Sequence, residues 1–189
     1  MDNIKNQIKN FKPFNEQEEK DKEYLLKFID SFDDTLTREN IFGHFCASAF
    51  VLNKERTKIL LVDHNIFKGY IFPGGHVDGE KDFLKVALEE VEEETGVKAK
   101  PINNEIFSLW TCAVSRHIKN GKFIPSHIHL DVNFLCEADE SEKLTIKPDE
   151  NKNVIWADIN EIGKSIKLVD FFQLEYEKFL QKLKVLNEN

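Results

Sequence analysis

The sequence predicts an α/β fold, and three patterns in its 189 residues carry that prediction. Apolar residues recur at helical spacing in three separate segments, around residues 24–32, 84–91 and 172–183. Between the last two, HIHLDVNF alternates strictly, with Ile128, Leu130, Val132 and Phe134 facing one way and His127, His129, Asp131 and Asn133 the other. Short apolar runs bounded by turn signals supply further strands.

Residues 1–40 are polar and helix-prone and read as a helical appendage, with the main domain spanning 41–189. After Pro13, Asn15 and Glu18 have the spacing of a capping box, and Tyr24, Leu25, Phe28, Ile29 and Phe32 mark one apolar face. SFDDT ends that helix. It is expected to pack on the domain; a homodimer contact or a lid over the site are its other uses. FCASAFVL and KILLVDH are two strands joined by the charged NKERT turn. Tyr70, Ile71 and Phe72 follow, just ahead of Pro73; Tyr70 or Phe72 stacks on a base or sugar, or belongs to the core.

The central helix has Asp82 as N-cap, a stripe of Leu84, Ala87, Leu88 and Val91, and Gly96 where a left-handed residue would stop it. Beyond it, Asn120-Gly121 signals a turn, so residues 106–118 and 127–138 are expected to form a hairpin. The polar face of HIHLDVNF is either solvent-exposed or lines the cleft, where His127 and His129 would meet phosphate or leaving group. A zinc site from His127, His129 and His117 would lack the cysteine or helix-spaced histidine that usually completes one. KLTIK reads as a short strand, and after a polar loop a second strand ends at Trp156. Asp158 with Glu161 caps a short helix, and Phe172, Tyr176, Phe179, Leu180 and Leu183 give the final helix a packing face.

With 41% hydrophobic and 32% charged residues, and 16 Phe, the chain has the composition of a globular domain with a substantial core. A net charge of −8 argues against a nucleic-acid partner. No apolar run is long enough to span a bilayer, and the N-terminus lacks a signal peptide's apolar core. Cys46, Cys112 and Cys136 are odd in number and lack CxxC spacing, as expected of buried free thiols in a reducing compartment. A cytoplasmic location is the expectation.

The chemistry concentrates in GGHVDGEKDFLKVALEEVEEETGV, residues 74–97. Glu90, Glu93 and Glu94 fall three and four positions apart near the end of the helix, where anions repel one another and meet the negative end of the dipole. A solvated acidic face is the plain explanation. The Gly-Gly turn before the helix favours a ligand site, because it lets backbone approach closely. Three carboxylates without a thiol form a hard-oxygen set suited to Mg²⁺ or Mn²⁺.

This stretch resembles the Nudix box, G-x5-E-x7-R-E-U-x-E-E-x-G-U with U a bulky aliphatic residue, laid from Gly75 to Val97. Gly75, Glu90, Val91, Glu93, Glu94, Gly96 and Val97 match it. The pattern's first Glu falls on Lys81 and its Arg on Glu89. Either the two form an ion pair with exchanged signs, or Glu80 takes the Glu role.

The resemblance implies a Nudix-type α/β/α sandwich with a mixed sheet, the N-terminal helix added outside it. It implies a Mg²⁺-dependent hydrolase (Mn²⁺ as the other option) that cuts the pyrophosphate of a nucleoside diphosphate linked to another moiety. Gly75, Glu90, Glu93 and Glu94 would hold the metal. The general base would be Glu90, or Glu150 on the loop before a later strand, with Asp149 beside it. The rival is a Nudix-fold module that senses a nucleotide without turning it over.

Overall fold

The computed structural model describes residues 2–119 and 121–188. Two helices come first, α1 (Asp2–Asn10) and α2 (Glu16–Ser31). Asn15 caps α2 by accepting from the Glu18 N–H, and the Glu18 carboxylate reaches back to the Phe14 N–H at 2.8 Å. The expected capping box is therefore present, shifted by one residue in its return bond.

Among the described residues, eight strands form one mixed sheet. The hairpin of β1 (Gly43–Asn53) and β2 (Lys58–His64) is antiparallel, as its charged turn predicts. After β3 (Gly69–Ile71) and β4 (Gly74–His76) comes α3 (Phe83–Thr95), followed by β5 (Lys100–Pro101), β6 (Ser108–Val114), and β7 (His117–Lys119) with β8 (Lys122–Ile124) as a small separate hairpin. Then follow β9 (His127–Ala138), β10 (Asn151–Asp158), a 3₁₀ turn over Ile159–Glu161 capped by Asp158, and α4 (Asp170–Glu188). The sheet order is β10-β2-β1-β9-β5; β3 and β4 join β2 and β1, and β6 joins β9. One pairing is parallel: β1 lies beside β9 from Gly43↔Ile128 to Asn53↔Ala138. The β6/β9 pairing bears out the larger hairpin, and Gly121 has φ 75° in the β7/β8 turn, although Asn120 lies outside the described residues.

Three expectations change. KLTIK is not a strand; it runs as a loop tied by the Thr145 N–H to the Thr95 carbonyl. The polar face of β9 is not solvent-exposed, because β9 is a central strand covered on both sides: Asp131 and Asn133 are buried along with His127. Gly74 and Gly75 form a strand rather than a turn, pairing with Ser48 and Ala47 of β1.

The two sheet faces carry different loads. Phe45 meets Phe83 of α3 (ring centroids 5.3 Å apart), so the face bearing Phe45 and Ala47 is covered by α3. On the opposite face, Phe50 stacks on Phe179 of α4 (4.8 Å, 15°). Burial of these aromatic rings is the main favourable term holding the layers together.

The N-terminal segment is bound into this core by charge. Glu18 is 0% exposed and accepts from Ser108 Oγ (2.8 Å) of β6 and from Lys182 Nζ (2.7 Å) of α4, with Lys178 Nζ at 3.6 Å. Lys178 is buried as well and pairs with Glu175. Two carboxylates and two ammonium groups thus share one water-poor site. Removing one partner strands the others, which costs about 3–5 kcal/mol. Glu18→Ala is expected to lose about that much in urea unfolding; a loss under about 1 kcal/mol would show that the knot does not anchor α2.

Candidate active site

The helix that carries the glutamates begins at Asp82, whose side chain accepts from the Lys85 N–H, and stops at Gly96 with φ 76°. Its buried stripe is Phe83, Val86, Ala87 and Val91, a rotation from the expected one that leaves Leu84 and Leu88 half-buried. That rotation turns Glu94 into the protein. It is 1% exposed, whereas Glu90 is half-buried and Glu93 projects to solvent.

Glu90 and Glu94 lie against β4. The Glu94 carboxylate accepts from the Gly74 N–H at 3.0 Å, and a Cβ added to Gly75 would sit 2.2 Å from Glu90 Oε1. A Cβ on Gly74 would sit 2.3 Å from Ser48 Oγ on the other face. Each glycine therefore makes room for a different layer. Burial pushes the Glu90 carboxyl up to about 7, with the charges of Glu150 and Glu93 adding to it. Burial pushes Glu94 up to about 8, opposed by the Gly74 hydrogen bond.

Opposite them stands the loop before β10. Lys147 Nζ reaches Glu93 at 2.8 Å and Glu150 at 3.1 Å, linking the exposed edge of α3 to that loop. Asn151, 0% exposed, donates from Nδ2 to the Glu94 carbonyl at 2.9 Å. It satisfies a carbonyl near the helix end and fixes β10 to α3. Its role had no signal in the sequence.

The residues that depart from the box have a local explanation. Glu80 Oε1 accepts from the N–H groups of Lys81 and Asp82, and its other oxygen pairs with Lys85 Nζ at 2.8 Å. Lys85 also faces Glu89, at 3.9 Å. Glu80 thus takes the acidic place and Lys85 the cationic one, so the exchanged Lys81–Glu89 pair is not what forms. The same loop is held by Arg38, whose guanidinium donates to Asp78, and by the Gly79 N–H bond to the Leu36 carbonyl.

A family model described as NUDIX domain matches residues 44–183. The chain belongs to the NUDIX family. It is 30% identical over 121 residues to the m7GpppN-mRNA hydrolase NUDT17 of Xenopus laevis, covering 61% of this chain and 39% of that protein. It is 31% identical over 96 residues to the probable DHNTP pyrophosphohydrolase of Lactococcus lactis subsp. cremoris (strain MG1363), covering 51% and 55%. The chain therefore spans about two fifths and about half the length of these relatives. Among solved structures, the MutT protein from Methanosarcina mazei Go1 superposes with a TM-score of 0.54 at 17% identity, over 76% of this chain and 96% of that one. A C. elegans Ap4A hydrolase binary complex does so at 0.51 and 16%, over 76% and 97%. These likenesses establish the mixed-sheet α/β/α fold.

Of the aromatic candidates in this NUDIX domain, Phe72 is a correction. It is 3% exposed and packs edge-on against Phe50 (4.4 Å) and beside Phe172 and Tyr176, so it is core. Tyr70 is half-buried, and its hydroxyl accepts from Asn153 Nδ2 at 2.8 Å.

His127 and His129 belong to a cluster on the α4 side of the sheet. The in-register pairing of His44 with His129, and of Cys46 with His76, brings four imidazoles and a thiol together. Burial, then neighbouring positive groups, lowers His76 to about 2 and sends His129 well below its ordinary value. Burial likewise lowers His44 to about 4. His117 is peripheral, its ring 6.1 Å from that of His127 and its Nδ1 on the Ser115 carbonyl. Sequence reasoning missed His44, His76 and Cys46, because nothing in the sequence says that β1 lies parallel to β9.

A pH dependence follows from the raised carboxyls. Their folded pKa values lie above the ordinary carboxylate value, so the folded state holds extra protons and stability falls as pH rises from about 4.5 toward 8. In chelator, Glu94→Gln should therefore gain stability relative to the parent protein between pH 5 and pH 8. An unchanged difference across that window would contradict the buried, raised Glu94. A double-mutant cycle of Glu80→Gln and Lys85→Met should give a coupling, while Lys81→Met with Glu89→Gln should be additive.

Proposed function

We propose that this NUDIX protein is a Mg²⁺-dependent hydrolase that cuts a pyrophosphate within a nucleoside diphosphate joined to another moiety. The observation that carries the reading is the seating of Glu90 and Glu94 on the glycine strand β4, with Glu93 and Glu150 drawn together through Lys147. The donor set fits a hard divalent ion: carboxylate oxygens, a backbone to which the Cβ-free Gly75 permits close approach, and no sulfur among the donors. Buried carboxylates raised toward neutrality are held in a state that a cation would favour ionising. Glu90, Glu93, Glu94 and the Gly75 carbonyl would hold Mg²⁺, with Mn²⁺ as a substitute. Bound there, such an ion neutralises phosphate oxygens and acidifies a water.

The chain's own residues then have separable tasks. Gly74 and Gly75 keep the helix and β4 close. Lys147 holds Glu150 beside α3, where it or Glu90 takes the proton of the attacking water. Tyr70 remains the aromatic candidate for contact with the substrate. The curated relatives are named for different substrates, m7GpppN-mRNA and DHNTP, so the choice of nucleotide is assigned to loops outside the box. Among the described residues no helix is long and apolar enough to cross a membrane, and the three cysteines are free and buried; the cytoplasm is the compartment we propose.

The test is release of nucleoside monophosphate or phosphate from a panel of ADP-ribose, UDP-sugars, NADH, dinucleoside polyphosphates and nucleoside triphosphates, with Mg²⁺ and with chelator. Metal-dependent turnover of one class is expected, falling about 100-fold or more in Glu93→Gln, the scale on which single electrostatic groups act at transferring oxygens. Nucleotide-induced stabilisation without turnover would replace the hydrolase by a sensor. A lower kcat at unchanged Mg²⁺ requirement in Glu150→Gln would assign the base to Glu150; an unchanged kcat would assign it to Glu90.

A further inference from the structure

The histidine cluster has no task in that chemistry. It lies on the sheet face opposite α3, and its donors are nitrogen where the box offers oxygen. Nε2 of His127 is 3.1 Å from Nε2 of His129, and Nε2 of His76 is 3.3 Å from the same atom. His44 completes the group, its ring centroid 4.9 Å from those of His76 and His127 and 5.1 Å from that of His129. The ligand atoms of His44, His127 and His129 all lie within 4.8 Å of one another.

Proton bookkeeping shows that these rings do not all satisfy one another. Nδ1 of His127 lies 2.9 Å from the Pro125 carbonyl and Nδ1 of His44 lies 3.4 Å from the Asn40 carbonyl. A carbonyl only accepts, so each Nδ1 carries the ring proton and each Nε2 of the neutral ring is left with a lone pair. His129 Nε2 brings at most one proton, which only one of its two neighbours, His127 Nε2 or His76 Nε2, can accept. His44 Nε2, in a residue only 5% exposed, has no hydrogen-bond partner among the described residues. Such an orphan is costly in a core. Backbone carbonyls holding Nδ1–H while Nε2 points inward is also the arrangement by which proteins orient metal-binding histidines.

The spacing is right for an ion. Zinc–nitrogen bonds of about 2.0–2.1 Å at a tetrahedral angle place two ligand nitrogens about 3.3–3.4 Å apart. The 3.3 Å between His76 and His129 matches that edge, and the 3.1 Å between His127 and His129 falls just short of it.

We propose that His44, His127 and His129 form a binding site for a divalent transition-metal ion of the zinc class, separate in chemistry from the carboxylate site. Imidazole nitrogen selects such ions over Mg²⁺. Three nitrogens leave a fourth position, beside which stand His76 and, beyond it, the Cys46 thiol, since Cys46, His76 and His129 form a second group sharing His129. An ion there ties β1 to β9 next to β4, the strand that carries Gly75. The proposal does not depend on the hydrolase reading.

The experiment uses the full chain, stripped with chelator and titrated with Zn²⁺ and separately with Co²⁺. Uptake of one Zn²⁺ per chain is expected, with Co²⁺ giving the visible bands of a tetrahedral nitrogen-ligated ion. His44→Ala and His127→Ala should each weaken Zn²⁺ by at least the roughly 10–100-fold that loss of a supporting group costs. Glu93→Gln should leave Zn²⁺ uptake unchanged, which separates this site from the box. Because both histidines are buried, the parent protein carries a test of its own: Zn²⁺ should shift the ¹⁵N resonances of His44, His127 and His129 and spare His64. No stoichiometric uptake, uptake untouched by the two histidine changes in folded protein, or shifts confined to other residues would each overturn the site.

Discussion

The constraint on which the rest of the structure depends is the seating of two carboxylates against the backbone of one short strand. Glu90 and Glu94 are taken out of water, and both carboxyls are driven up by it. Burying such groups is unfavourable unless something satisfies them. The chain meets this with the Gly74 N–H for Glu94 and with space at Gly75 for Glu90. The surrounding features follow from holding that arrangement still. Asp82 and Gly96 fix the ends of the helix, Asn151 clamps its last turn to β10, and Glu80 with Lys85 holds its entry.

The central pair β1 and β9 divides the molecule chemically. Alternation along β1 sends Phe45 and Ala47 toward α3 and sends His44, Cys46 and Ser48 to the other side. The box carboxylates therefore lie on one face of the sheet, and the histidine cluster with Cys46 lies on the other. The second face is polar through much of its length: Ser48 donates to both oxygens of Asp131, whose carboxyl burial pushes up to about 7. Farther along, the aromatic layer with α4 takes over.

The N-terminal segment is part of the same construction although the family match begins at residue 44. Glu18 is satisfied by groups from β6 and α4, and Arg38 holds Asp78 in the loop between β4 and α3. Buried ion clusters of this kind do not by themselves make a protein more stable than an apolar core would. They do make the docking of α2 specific, because any other placement leaves a charge unpaired.

Much of the fold is determined locally and was legible in the sequence. The helical stripes, the Asp82 and Gly96 ends of α3, the Asn15 cap, the β1/β2 hairpin and the glutamate spacing all depend on residues close in the chain, where period and capping chemistry act directly. The box identified the family for the same reason. What only the tertiary structure decided are relations between distant segments. The parallel register of β1 and β9 assembles the histidines, the rotation of α3 buries Glu94 rather than Leu84, and β10 with the loop before it delivers Asn151 and Glu150. Phe72 went to the core because α4 covers it. Glu80 rather than Lys81 became the brace because the loop before α3 directs its carboxylate at two backbone N–H groups and at Lys85. Alternation says which residues share a face; what that face meets is decided only when the strands and helices pack.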